Sequence, residues 1–99
     1  MTRMQTLRQI KSVLAQHKSE LAQKYHLRQL GIFGSYTRKD KTAHSDIDLL
    51  VEFDGPIGLE FVSLAEELES LLGVKVDLVS ANAIKPRMFK IIKKDLVYV

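Results

Sequence analysis

Residues 33–53 read FGSYTRKDKTAHSDIDLLVEF, and they decide the fold because they connect the end of one predicted strand to the start of another. Within this stretch, ten residues separate Gly34-Ser35 from Asp46-Ile47-Asp48. A glycine at such a turn lets backbone N–H groups come close to a phosphate, and paired carboxylates are ligands that a hard cation prefers. The spacing therefore predicts a phosphate-binding turn next to a metal site.

The rest of the chain predicts alternating helices and strands. Apolar side chains three or four residues apart indicate amphipathic helices, and short apolar or alternating runs indicate strands. The predicted order is helix 4–25, strand 27–33, a helical turn at 36–39, a polar loop over 37–45, strand 46–53, helix 61–72 ending at Gly73, strand 74–79, helix 86–94 and strand 96–99. This order favours an α/β (α+β) fold in which helices flank a small mixed β-sheet.

The composition is that of one small domain over residues 1–99. Hydrophobic residues make up 45% and charged residues 27%, which is enough for a single core. The chain has no cysteine, which excludes a disulfide framework and a thiolate metal site. No apolar stretch reaches the ~18 residues that a membrane span needs. We therefore expect a cytoplasmic protein without an anchor, and a net charge of +3 does not by itself argue for nucleic-acid binding.

The acidic residues predict a divalent cation. Asp46 and Asp48 lie two apart on a strand, so both side chains point to one face, and at about 5 Å they repel by roughly 3 kcal/mol. With no cysteine and no nearby histidine pair, the ligands would be oxygen atoms, which suit Mg²⁺ or Mn²⁺ better than zinc. Asp77, in the middle of the next strand, is either a salt-bridge partner of Lys75 or a third ligand, and three carboxylates can hold two metal ions. The alternative for the first pair is two solvated acids at an exposed strand start.

The turn after the first strand predicts contacts with a polyphosphate. Ser35 is placed as a helix N-cap, and the backbone N–H groups that follow it point outward, where an anion binds well. Arg38, one turn further on, either reaches the same triphosphate or is a solvated surface arginine. Tyr36 either stacks near the nucleotide or packs within the loop. We therefore take Gly34, Ser35 and Arg38 as the candidate nucleotide-binding residues.

Together, Gly34-Ser35, the ten-residue spacing, Asp46-x-Asp48 and a later strand with Asp77 resemble the DNA polymerase β-type nucleotidyltransferase superfamily. Within it, FGSYTRKDKTAHSDIDLLVEF is similar to the minimal nucleotidyltransferase (MNT) family, and the resemblance runs from residue 27 to about 79. It implies the polymerase β-type nucleotidyltransferase fold. Lys39 stands where the family often has glycine.

The resemblance also implies the role of each site residue. Gly34 and Ser35 would hold the triphosphate of ATP, and Asp46 and Asp48 would bind the Mg²⁺ ions, of which two are expected. Asp77 would complete the site and help to activate the acceptor hydroxyl. All three carboxylates are present in this chain.

Finally, the resemblance implies a partner. MNT proteins are commonly encoded beside a HEPN-domain ribonuclease toxin, for which the MNT protein is the antitoxin, and the implied activity is transfer of AMP from ATP to a tyrosine of that toxin within a stable hetero-oligomer. Because the catalytic core takes nearly all 99 residues, we expect the acceptor to be chosen through the partner. The alternatives are an antitoxin that acts by masking its toxin, and transfer to a small molecule or an RNA end. Direct nucleic-acid binding is not expected, and the basic tail 85–94 could face the nucleotide, the partner's RNA-binding surface or water.

Overall fold

The computed structural model describes residues 6–38 and 46–99. The elements are α1 (Leu7–Tyr25), β1 (Leu27–Phe33), α2 (Ser35–Arg38), β2 (Ile47–Phe53), α3 (Glu60–Leu72), β3 (Val76–Ser80), α4 (Pro86–Lys93) and β4 (Val97–Tyr98). The strands form one mixed sheet in the order β3-β2-β1-β4, in which β1 is antiparallel to β2 and β4 and β2 is parallel to β3. The predicted α/β (α+β) fold with a small mixed sheet is confirmed.

The helix ends follow local polar signals in the sequence. Before α1, the Thr6 hydroxyl accepts a hydrogen bond from the Gln9 backbone N–H, and the Gln9 side-chain oxygen accepts one from the Thr6 N–H. This reciprocal capping box fixes the start of the helix. After α3, Gly73 adopts a left-handed conformation with φ 71° and donates to the Glu69 carbonyl, as predicted.

Two predicted segments fall partly outside the described residues. The first helix was predicted to begin at residue 4, and residues 1–5 are not described. In the predicted loop over 37–45, residues 37 and 38 belong to α2, and the remainder, which includes Lys39 and His44, also lies outside the described ranges. No helix in the described part of the chain is both long and apolar enough to cross a membrane.

The main core lies between one face of the sheet and helices α1 and α3. Alternate residues of β2 point into it, and they are completely or almost completely buried: Ile47, Leu49, Val51 and Phe53. The residues between them, Asp48, Leu50 and Glu52, therefore point to the opposite face of the sheet. We call this opposite face, which carries Asp48, the second face.

Helix α4 covers part of the second face. Both β2-α3-β3 and β3-α4-β4 join parallel strands but run in opposite directions across the sheet, so right-handed crossovers place α3 and α4 on opposite faces. A cavity of about 230 Å³ lined by Glu52 and Phe89 agrees with this placement. Leu50 is only 3% exposed and Ile92 6% exposed, although neither belongs to the main core. The cover on both faces predicted for β2 is therefore present.

Candidate active site

Two of the predicted carboxylates meet on the second face. Asp48 and Asp77 are register partners on the parallel strands β2 and β3, so their side chains lie next to each other on the same face of the sheet. Burial, followed by the charges of Asp77 and Asp46, raises the pKa of Asp48 to about 6. Negative charge is therefore concentrated around Asp48 and favours either a proton or a cation there.

The third carboxylate lies beside this pair. Asp46 is exposed and immediately precedes β2, and its charge acts on Asp48. Within residues 6–38 and 46–99, no three acidic or histidine side chains have the spacing of a complete metal-ligand set. The structure thus brings Asp48 and Asp77 together and places Asp46 next to them. Asp77 is exposed, although it lies in the middle of β3.

A divalent cation fits this donor set on chemical grounds. The available ligands are carboxylate oxygens, which suit Mg²⁺ or Mn²⁺, and the mutual repulsion that raises the pKa of Asp48 is what a bound cation would relieve. The residues that would hold the ion are Asp48, Asp77 and Asp46.

Gly34 lies directly against the Asp48 carboxylate. It follows Phe33, the register partner of Asp48, and has a φ of +81°. A Cβ at this position would lie 3.0 Å from Asp48 Cγ and would overlap its Oδ2. Any side chain at residue 34 would therefore strain the backbone and displace the carboxylate. The sequence predicted this glycine only as an approach to phosphate, and the structure adds that it makes room for Asp48.

The helical turn α2 begins one residue earlier than predicted. The Gly34 carbonyl accepts hydrogen bonds from the Thr37 N–H at 3.1 Å, the Arg38 N–H at 3.1 Å and the Thr37 hydroxyl at 2.8 Å. Gly34 therefore occupies the N-cap position, because its carbonyl accepts the first helical bond, and Ser35 is the first residue of the helix. The prediction of Ser35 as the N-cap is wrong, although its backbone N–H still belongs to the first turn, where no helical acceptor exists.

Arg38 joins the turn to the end of the chain. Its Nη1 lies 2.9 Å from Asp95 Oδ2. The positive charge of Arg38 also acts on Asp48 and lowers the pKa of that carboxyl, but burial and the charges of Asp77 and Asp46 raise this pKa by more. The side chain of Arg38 is 49% exposed and that of Asp95 is 27% exposed. Arg38 is thus near the carboxyl pair and held by an ion pair rather than simply solvated. Asp95 is not among the residues predicted from the sequence, because it is 57 residues from Arg38 and belongs to no local motif.

Tyr36 packs in the core. It is 2% exposed and belongs to the main hydrophobic cluster. Burial and, secondarily, the Asp46 charge raise the pKa of its hydroxyl. Of the two alternatives for this residue, packing is the one that the structure shows, and its position anchors the turn under the site.

Residues 14–99 match the family described as "Nucleotidyltransferase domain". The chain belongs to the nucleotidyltransferase family. Protein adenylyltransferase MntA of Thermococcus cleftensis is 43% identical over 97 residues, which cover 97% of this chain and 98% of that protein. The resemblance to the minimal nucleotidyltransferases that the residues suggested is therefore confirmed.

Solved structures share the fold of this nucleotidyltransferase. A toxin–antitoxin complex with AMP-PNP contains a chain with a TM-score of 0.71 and 23% identity, and the match covers 84% of this chain and 69% of that one. A complex of a tri-AMPylated Shewanella oneidensis HEPN toxin with its MNT antitoxin gives a TM-score of 0.67 at 21% identity, over 90% and 70% of the two chains. At these identities the likeness supports the fold of the nucleotidyltransferase described above.

Proposed function

We propose that this nucleotidyltransferase is the antitoxin of a HEPN/MNT pair, and that it transfers AMP from ATP to a tyrosine of its HEPN ribonuclease toxin. The observation that carries the proposal is the Asp48–Asp77 pair held against Gly34 at the start of the phosphate turn. The near full-length similarity to a protein adenylyltransferase supports the choice of a protein acceptor. Residues 1–99 would act in the cytoplasm as a single domain that meets its acceptor in a hetero-oligomer.

In this reaction the tyrosine oxygen forms a bond to the α-phosphorus of ATP, and the bond to the leaving pyrophosphate breaks. The Ser35 N–H and Arg38 would bind the triphosphate, since both lie at the turn next to the carboxyl pair. Asp77, the more exposed member of the pair, would accept the tyrosine proton. Mg²⁺, when bound by Asp46, Asp48 and Asp77, supplies charge neutralisation for the triphosphate and lowers the pKa of the acceptor hydroxyl.

The product would carry added bulk and negative charge on the toxin. A transferred AMP brings a phosphate group near an RNA-cleaving site, where it repels the phosphates of the RNA backbone. The added negative charge would oppose binding of the RNA, because the substrate is itself a polyanion.

The proposal is tested by incubating the chain with its HEPN partner and Mg²⁺–ATP and measuring the intact mass of the partner. We expect the partner to gain the mass of one or more AMP units with the wild type, and none with Asp48→Asn. The matched control is Asp54→Asn, which changes an exposed aspartate at the opposite end of β2 and should keep full activity. An unchanged partner mass with folded wild-type protein would contradict the proposal.

A growth assay separates transfer from masking. If transfer is the mechanism, cells that express the toxin should be rescued by the wild type and by Asp54→Asn but not by Asp48→Asn. Rescue by a triple variant at Asp46, Asp48 and Asp77 would instead show that binding alone neutralises the toxin.

A further inference from the structure

Two large apolar side chains stand on the outer side of α4. Met88 is 51% exposed and Ile91 is 55% exposed, and they lie three residues apart, so they are neighbours on the helix surface. Ile92 is buried and Phe89 is half-buried, and these two residues attach the helix to the protein. Met88 and Ile91 therefore contribute little to the packing of this chain and remain available to another surface.

Basic residues border these two side chains. Arg87, Lys90 and Lys94 are exposed and are spaced three and four apart, which places them along the same outer side of the helix. Residues 81–99 contain five lysines and arginines and one aspartate, so they carry more positive charge than the net +3 of the whole chain. An apolar centre with a polar rim is the usual anatomy of a protein–protein interface.

The position of this surface connects it to the candidate active site. Ile91 and Asp95 are four residues apart. The backbone turns tightly after α4, since the Asp95 N–H donates to the Ile92 carbonyl, so Asp95 stays close to the end of the helix. Asp95 in turn holds Arg38 at 2.9 Å, and Arg38 ends the phosphate turn. The row Met88 and Ile91 on α4 continues to Asp95 and so ends at the ion pair with Arg38, the residue whose charge acts on Asp48. A molecule seated on this row would therefore reach the Arg38 end of the phosphate turn.

We propose that Met88 and Ile91, with the bordering Arg87, Lys90 and Lys94, form the docking surface for the acceptor protein, and that the acceptor offers acidic side chains around an apolar centre. We call these five residues the α4 strip. The inference rests on the proposed function for the existence of a protein acceptor, and it adds the face that recognises the acceptor and the chemistry of the matching surface.

Other partners fit the α4 strip less well. An RNA would be held by the cations and gains little from Met88 and Ile91, because its surface is a row of phosphates. A membrane would need a broad apolar face, whereas Phe89 and Ile92 are turned toward the protein and leave only two apolar side chains outside. A protein surface with an apolar centre and acidic side chains around it matches the strip on both counts. Its apolar centre can cover Met88 and Ile91, and its carboxylates can pair with the bordering cations.

The test measures binding and transfer separately, with the purified HEPN-domain partner as the probe. We expect the double variant Met88→Ser/Ile91→Ser to bind the partner at least tenfold more weakly and to transfer AMP to it correspondingly more slowly. Its dissociation constant for Mg²⁺–ATP, measured by calorimetry, should stay within twofold of the wild type. Val62→Ser is the matched control, since Val62 is also 55% exposed but lies on α3, and it should change neither constant.

A second variant tests the charges. Lys90→Glu/Lys94→Glu should weaken partner binding at least tenfold at low salt and should remove most of its salt dependence, because the attraction between rim charges is screened by ions. An acceptor with a basic or neutral surface would bind this variant equally well or better, which would overturn the inference.

The outcomes distinguish the docking surface from the proposed function. If the wild type modifies the partner and both double variants bind it with unchanged affinity, the inference is wrong and the function stands. If the wild type binds the partner through the α4 strip but transfers nothing, the function is wrong and the docking surface stands. If the same variants abolish binding to an RNA oligonucleotide or to anionic vesicles while partner affinity is unchanged, the strip serves that ligand and the inference is overturned.

Discussion

Replacing Asp48 by asparagine should remove activity and, in the absence of metal, stabilise the protein. Burial and the charges of Asp77 and Asp46 raise the pKa of Asp48 from 3.8 to about 6, which means that the ionised side chain destabilises the fold at neutral pH. At about 1.4 kcal/mol per pKa unit the effect has a ceiling of about 3 kcal/mol. Because Asp48 is only half-buried, solvent screening reduces this to about 1–2 kcal/mol.

The assay is thermal unfolding in EDTA at pH 7.5. A gain of about 1–2 kcal/mol on a domain of this length raises the melting temperature by about 5–10 °C. Asparagine has nearly the same shape as aspartate, and its amide can donate a hydrogen bond to the neighbouring Asp77 carboxylate. Asp54→Asn, the exposed control, should change the free energy of unfolding by no more than about 0.5 kcal/mol.

The pH dependence has a definite sign. Since the folded-state pKa of Asp48 lies above its unfolded value, this side chain binds more protons in the folded state between about pH 4 and 6, and its contribution to stability falls as pH rises through this window. The advantage of Asp48→Asn should therefore be small at pH 4 and fully developed above pH 6. A variant that melts below the wild type at pH 7.5, or a difference that does not change with pH, would refute the reasoning.

Three further predictions concern the turn, its ion pair and a helix cap. Gly34→Ala should abolish AMP transfer in the mass assay because its Cβ displaces the Asp48 carboxylate, whereas Gly73→Ala, which also changes a glycine of positive φ but has open space around it, should cost only about 1 kcal/mol in thermal unfolding and keep activity. Asp95→Asn should raise the KM for Mg²⁺–ATP several-fold with a smaller change in kcat, because it removes the carboxylate that orients Arg38; an unchanged KM would show that the ion pair is only structural. Thr6→Ala should lose about 1 kcal/mol of unfolding free energy through the capping box, with transfer rates unchanged.

Periodicity was sufficient to predict the elements. The apolar spacing of α1 and α3 is imposed by one side of each helix facing the core, and the apolar run of β2 is imposed by cover on both faces of that strand. In each case the sequence contains the pattern directly. Gly73 was predicted as the end of α3 for the same reason, because the left-handed conformation is a local requirement. Asp46, Asp48 and Asp77 could be identified from the sequence as candidate metal ligands, because ionisable side chains on a strand need a cation, a partner or solvent.

The relations that the sequence did not reveal depend on contacts across the fold. The contact of Gly34 with Asp48 follows from the antiparallel register of β1 and β2, which places Phe33 opposite Asp48. The ion pair of Arg38 with Asp95 depends on where the crossover through α4 ends, and no local pattern marks Asp95. These are tertiary relations between segments, and a pattern within one segment does not contain them.

The most direct test of the central claim uses ATP radiolabelled at either its α- or its γ-phosphate. The chain, its HEPN partner and Mg²⁺ are incubated with each form, and the label bound to the partner protein is measured. AMP transfer predicts that the partner becomes labelled from the α-labelled ATP and not from the γ-labelled ATP, and that Asp48→Asn gives no label from either. Labelling from the γ-phosphate, or no labelling by folded wild-type protein that binds ATP, would contradict the account.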